Sequence, residues 1–215
     1  MMLQHGLVFG SWFVFFITIE HFGERSLAIT NIVRNISSFL FLFVQAFASV
    51  VSSLVGNLIG EDKSNSILYV CKKVIFLCYI TILPIIILFV LFPSYILRIY
   101  SDNAALVFEA IPTLKVMLTS YLIAVPTFVF FSVVSGIGHA IASLSIAFIS
   151  LVIYIMYVEA IGHFSSSVPL LWTSEHVYFS CVFILSLYHI HHWRMNLYQS
   201  RQKINHWFFL ESELI

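Results

Sequence analysis

Asn31, Arg34, Asn35, Ser38, Gln45, Ser49 and Ser53 punctuate an otherwise apolar run from Leu27 to Lys63. At about 100° of rotation per residue, a helix brings these side chains within roughly ±60° of one direction. A face of amides, hydroxyls and one guanidinium can exchange hydrogen bonds with a passing solute or with a neighbouring helix, and it finds neither among lipid tails. Two readings stay open for Asn31, Arg34, Asn35 and Gln45: the wall of a cavity that touches substrate, or hydrogen bonding inside a helical bundle. Glu20 closes the preceding apolar stretch and adds a carboxylate. It reads either as a protonatable or cation-binding group facing Arg34 or Asn31, or as a water-exposed acid at a helix end.

Beside the polar face, Ala48, Ser52, Gly56 and Gly60 recur at every fourth position and end in a G-x-x-x-G. Small side chains at this spacing let a second helix backbone come close, the packing that replaces the hydrophobic effect inside lipid. We expect these four residues to hold the helix against a neighbour.

The histidines point away from metal chemistry. His189, His191 and His192 form one H-I-H-H cluster, and His189 and His192 share a helical face at i, i+3. A membrane di-iron enzyme needs several such boxes at other spacings. An interfacial histidine group near the chain end is the plainer account, with no metal site and no enzyme activity expected, and His139 and His163 receive no role.

The elements that carry these residues follow from composition. Hydrophobic residues make up 60% of the chain and charged ones 9%, against roughly 25% charged in soluble domains. The formal charge is zero and the bases are scattered, which excludes a nucleic-acid footprint. Stretches at about 3–19, 27–59, 68–92, 108–137, 141–161 and 170–193 approach the roughly 20 apolar residues that cross a bilayer. Backbone groups in lipid must be satisfied internally, so all six are expected to be helices, followed by a tail at 194–215. The opening stretch lacks the basic n-region of a signal peptide and reads as a retained span.

Ser101 and Asp102 are expected to cap the helix leading into the fourth span, and Pro84, Pro112 and Pro126 to bend their helices. Cys71 and Cys78 are too far apart along one helix for a disulfide. An even span count puts both termini on one side, with Lys63, Lys72, Lys73, Arg194, Arg201 and Lys203. The positive-inside rule makes that side cytoplasmic. Tryptophans near span ends, Trp12 and Trp172 among them, are expected to anchor at the interface.

The string F-G-E-R-S-L-A-I-T-N-I-V-R-N-I at 22–36, followed by S-S-L-V-G-N-L-I-G-E-D-K at 52–63, resembles the multidrug and toxic compound extrusion (MATE) family, especially its bacterial members. Y-S-D-N at Tyr100 to Asn103 and S-G-I-G-H at Ser135 to His139 look like the loops either side of that family's tenth helix. The resemblance implies a twelve-helix antiporter of two six-helix lobes, of which this chain matches the C-terminal lobe. It also implies export of amphipathic, often cationic, small molecules against a proton or sodium gradient, in a bacterial inner membrane and with no cofactor.

The family's sodium-coupled branch carries acids on its seventh and tenth helices, yet the matching stretches, Leu7 to Phe13 and Ala124 to Phe131, contain none. The first-lobe aspartate of the proton-coupled branch has no counterpart here. The coupling ion therefore stays open. The other lobe could be a separate chain or a second copy, since six-helix lobes insert with the same orientation and parallel repeats are a known transporter plan. A truncated, non-transporting remnant or structural membrane subunit, and a lipid-linked oligosaccharide flippase of the same superfamily, are the rival readings.

Overall fold

The computed structural model describes the backbone of residues 12–212 and the side chains of residues 12–195. The start of the expected first span lies outside the described residues. From residue 12 the chain is helical: α1 (12–20), α2 (Glu24–Gly60), α3 (Ile67–Leu91), the short α4 (Pro93–Arg98), α5 (Ala104–Gly136), α6 (Ala140–Phe164), the single turn α7 (Val168–Leu171) and α8 (Ser174–Ser212). Among the described residues five helices are long and apolar enough to cross a membrane, and α1 continues the all-helical pattern.

α2 runs unbroken for 37 residues, about 55 Å at 1.5 Å per residue. Gly23, at φ 98°, takes the left-handed backbone that turns the chain from α1 into α2, and Gly138, at φ 83°, does the same between α5 and α6. The connections are short, so successive long helices run antiparallel. One end of the bundle holds the α2–α3 turn with Lys63, the α5–α6 turn and the later part of α8. The other end holds the α1–α2 turn, the α3–α5 connection and α7.

α5 is the central helix, packed most extensively against α2 and then against α8 and α3, while α6 lies along α8. Two apolar cores fill the bundle. At the α7 end, Phe15, Ile19, Ile36, Leu114, Leu118, Leu171 and Trp172 are buried together. At the Lys63 end, Val51, Val55, Cys71, Val133, Val134 and Val182 form a second cluster. Large apolar side chains that remain exposed, such as Phe76, Leu77, Ile80, Phe148 and Ile149, face outward as lipid-contacting surface does.

Two sequence expectations are corrected here. Asn103, not Ser101 or Asp102, caps α5: its side-chain oxygen accepts from the backbone N–H groups of Ala105 (3.1 Å) and Leu106 (3.3 Å), while the Ser101 hydroxyl oxygen accepts from the Asn103 N–H. Asn103 has the extended backbone an N-cap requires. Trp172 is not an interfacial anchor. It is fully buried, with its ring centroid 5.6 Å from Phe15 and 6.1 Å from Trp12, because α7 folds back into the bundle and carries it inward.

Candidate functional site

The buried residues of α2, among them Ile29, Val33, Ile36, Leu40, Val44, Ala48, Val51 and Val55, turn one side of the helix into the bundle. That leaves the polar side open: Asn31, Asn35, Ser38, Gln45, Ser49 and Ser53 are exposed, interrupted by Leu42, and Arg34 is half-buried. Among the described residues the exposed members of this face therefore make no hydrogen bond to another helix. Ser37, one position round from Ser38, does: Tyr121 of α5 donates to the Ser37 carbonyl oxygen at 2.5 Å, and the two hydroxyls lie 2.9 Å apart.

Arg34 is the only ionisable side chain between residues 27 and 60. Its guanidinium carbon sits 4.8 Å from the ring centroid of Trp12 and 4.8 Å from that of Phe16, both on α1. Two aromatic faces stabilise a cation without removing its donors, so Arg34 stays free to meet an anionic or hydrogen-bonding group. Glu20 is exposed one turn beyond Phe16. Among the described residues Arg25 pairs with Glu109 at 2.6 Å and Lys63 with Glu61 at 2.8 Å, and Glu20 does not close on Arg34. The Lys63–Glu61 pair lies in the exposed turn after α2, where its hydrogen bond and then mutual attraction lower the Glu61 carboxyl and raise the Lys63 ammonium from their ordinary pKa values.

In the small-residue ladder, Ala48 is buried and Ser52 and Gly56 lie against α5. The closest approach is made from the other helix. A Cβ on Gly136 would stand 2.7 Å from the Ser52 carbonyl oxygen and 3.0 Å from Val55 Cβ, whereas one on Gly56 would meet the Gly136 carbonyl oxygen at 3.8 Å. Gly60 has nothing within 4 Å of its Cβ position, so the contact does not extend to the end of the ladder. In the sequence Gly136 stands in the S-G-I-G-H turn, and nothing in its spacing marks it as a helix contact.

Two other groupings join residues far apart in the sequence. His139 Nδ1 in the α5–α6 turn lies 2.9 Å from His189 Nε2 on α8, which ties together two histidines treated separately. Glu175, in the first turn of α8, is partly buried within the bundle. Its position inside the expected 170–193 span was the available signal.

Among the described residues the geometry is that of a membrane bundle with one long helix whose hydrophilic side, Arg34 apart, is exposed. The MatE family matches residues 1–158. A MOP superfamily transporter from Pyrococcus furiosus, for which reverse polarity of the binding pocket suggests a different function, superposes with a TM-score of 0.72 at 16% identity. The superposition covers 87% of this chain and 41% of that one, so this chain spans well under two thirds of that transporter's length. No curated protein matches it. With nearly three quarters of its residues matched by the family, the chain belongs to the MatE family of membrane transporters.

Proposed function

We propose that this chain acts as one lobe, the C-terminal one, of a secondary active exporter of small amphipathic molecules, driven by an inward proton or sodium gradient. The open polar side of α2 carries the reading. A face holding Asn31, Arg34, Asn35 and Gln45 is costly against hydrocarbon and inexpensive against water or protein. A facing lobe, supplied by another chain or a second copy, would enclose it as one wall of a cleft, and rocking of the two lobes would alternate access.

On this wall the charge is a guanidinium with no carboxylate beside it. It favours solutes that present an anionic or hydrogen-bond-accepting group to α2, and selection of cations would have to come from the facing lobe. The basic residues around Lys63 and Arg194 support, by the positive-inside rule, a reading in which this end of the bundle faces the cytoplasm of a bacterial inner membrane. The test is dye and drug accumulation in cells that express the chain alone, with a candidate partner lobe, or with Arg34→Ala. Lower accumulation that depends on Arg34 supports export; unchanged accumulation in every arm leaves the inert structural reading.

A further inference from the structure

The connection from α6 to α8 re-enters the bundle. Leu171, Trp172 and Ser174 are fully buried, which draws the first turn of α8 below the end of α6. Tyr154, a neighbour of this turn, lies ten residues before Phe164 on α6, about 15 Å down the helix. Glu175 sits in that turn.

Its surroundings are polar but uncharged. The hydroxyls of Tyr121 on α5, Tyr154 on α6 and Tyr178 on α8 are within electrostatic reach of its carboxyl group, and the Tyr154 and Tyr178 rings stand 5.8 Å apart. Ser174 Oγ is fully buried beside the Tyr154 hydroxyl. Of the remaining titratable groups nearby, Tyr157 is taken up by Thr173 at 2.8 Å, and His176 Nε2 lies 2.9 Å from the Thr119 hydroxyl while its Nδ1 is buried without a partner. The α1, α2 and α7 residues packed into this end, Phe15, Ile36 and Leu171 among them, are apolar. Among the described residues no cation pairs with Glu175.

A carboxyl group at this depth, with hydroxyls around it and no counter-charge, is the kind of residue that marks an ion or proton route through a membrane. Its side chain is only partly buried. We propose that Glu175 is a proton-binding site of this lobe, ringed by Tyr121, Tyr154 and Tyr178. The proton passes from water to a carboxyl oxygen and returns to water when the site hydrates. The Tyr121 hydroxyl donates to the Ser37 carbonyl oxygen, so the Tyr154 and Tyr178 hydroxyls are the neighbours whose dipoles answer the change in the carboxyl's charge. The link to transport rests on the exporter reading, but proton binding itself does not.

The test is infrared difference spectroscopy of the full chain in lipid nanodiscs, titrated from acid to alkaline pH in potassium buffer and again with sodium added. The expected result is a carboxylic-acid C=O band that titrates, disappears in Glu175→Gln, and is indifferent to sodium. In Tyr154→Phe the band should persist with a shifted midpoint. A band unchanged in Glu175→Gln overturns the proposal, as does one that sodium displaces at constant pH, which would make the site a sodium site. If Glu175→Gln does not fold, an unmoved midpoint in Tyr154→Phe overturns it equally. Because the band reports binding without transport, loss of export with the band intact would count against the exporter reading alone.

Discussion

Tyr79 of α3 donates its hydroxyl hydrogen to the Leu122 carbonyl oxygen of α5 at 2.5 Å, the carbonyl four residues before Pro126. Proline has no N–H, so this carbonyl loses its helical partner, and in lipid no water replaces it. Tyr79 fills the vacancy from a neighbouring helix. Pro126 consequently sits inside a continuous α5.

The Tyr79 bond should therefore matter more than its partly exposed position implies. Tyr79→Phe is expected to destabilise the bundle by about 1–3 kcal/mol, the cost of an unsatisfied acceptor. Pro126→Ala restores the helical N–H and should recover most of that loss when combined with Tyr79→Phe. Thermal unfolding of the three variants in detergent checks the coupling, and additive effects would contradict it.

Gly136 and Gly56 face each other across the α2–α5 contact but should not respond alike. Gly136→Ala puts a methyl group 2.7 Å from a backbone oxygen, and relieving that overlap must part the helices, at about 1–3 kcal/mol. Gly56→Ala meets its neighbour at ordinary van der Waals distance and should be close to neutral. Melting temperature and membrane abundance measure both.

Arg34→Ala and Gln45→Leu should impair export while leaving membrane levels intact, because neither side chain packs into the bundle core. Arg34→Lys should recover only part of the activity. It keeps the charge but loses the planar group that rests on Trp12 and Phe16. Accumulation assays paired with immunoblots of the membrane fraction separate this outcome from simple loss of protein.

Asn103→Ala removes the two side-chain hydrogen bonds that start α5. A loss of about 1 kcal/mol is expected, with Asp102→Ala smaller. Unfolding midpoints in detergent decide between the two residues as the cap.

The polar side of α2 was legible in the sequence because periodicity alone puts a residue on a face, and the helix runs straight enough for 100° steps to hold from Asn31 to Ser53. What faces that side was not, since contacts between distant helices leave no periodic trace. Gly136 shows the limit: the ladder on α2 announced a close contact, and the residue that makes it sits 80 positions after Gly56. Trp172 and Glu175 are obscured for a different reason. Both lie in the first residues of the expected 170–193 span, where hydropathy puts a side chain near the membrane surface, and only the inward fold of α7 carries them into the bundle. Glu20 and Arg34 looked like partners by proximity in the sequence, yet the aromatic residues of α1 take the guanidinium first.

The central claim is that the hydrophilic side of α2 faces water or protein and not lipid. Spin labels at Gln45, Ser49 and Ser53, compared with labels at Phe76 and Ile80 on the outer surface of α3, test it in lipid vesicles through collisions with oxygen, which concentrates in the hydrocarbon. The account predicts low oxygen accessibility at the three α2 positions and high accessibility at the two on α3. Equal, high oxygen accessibility at all five would put the α2 face in the acyl chains and contradict it.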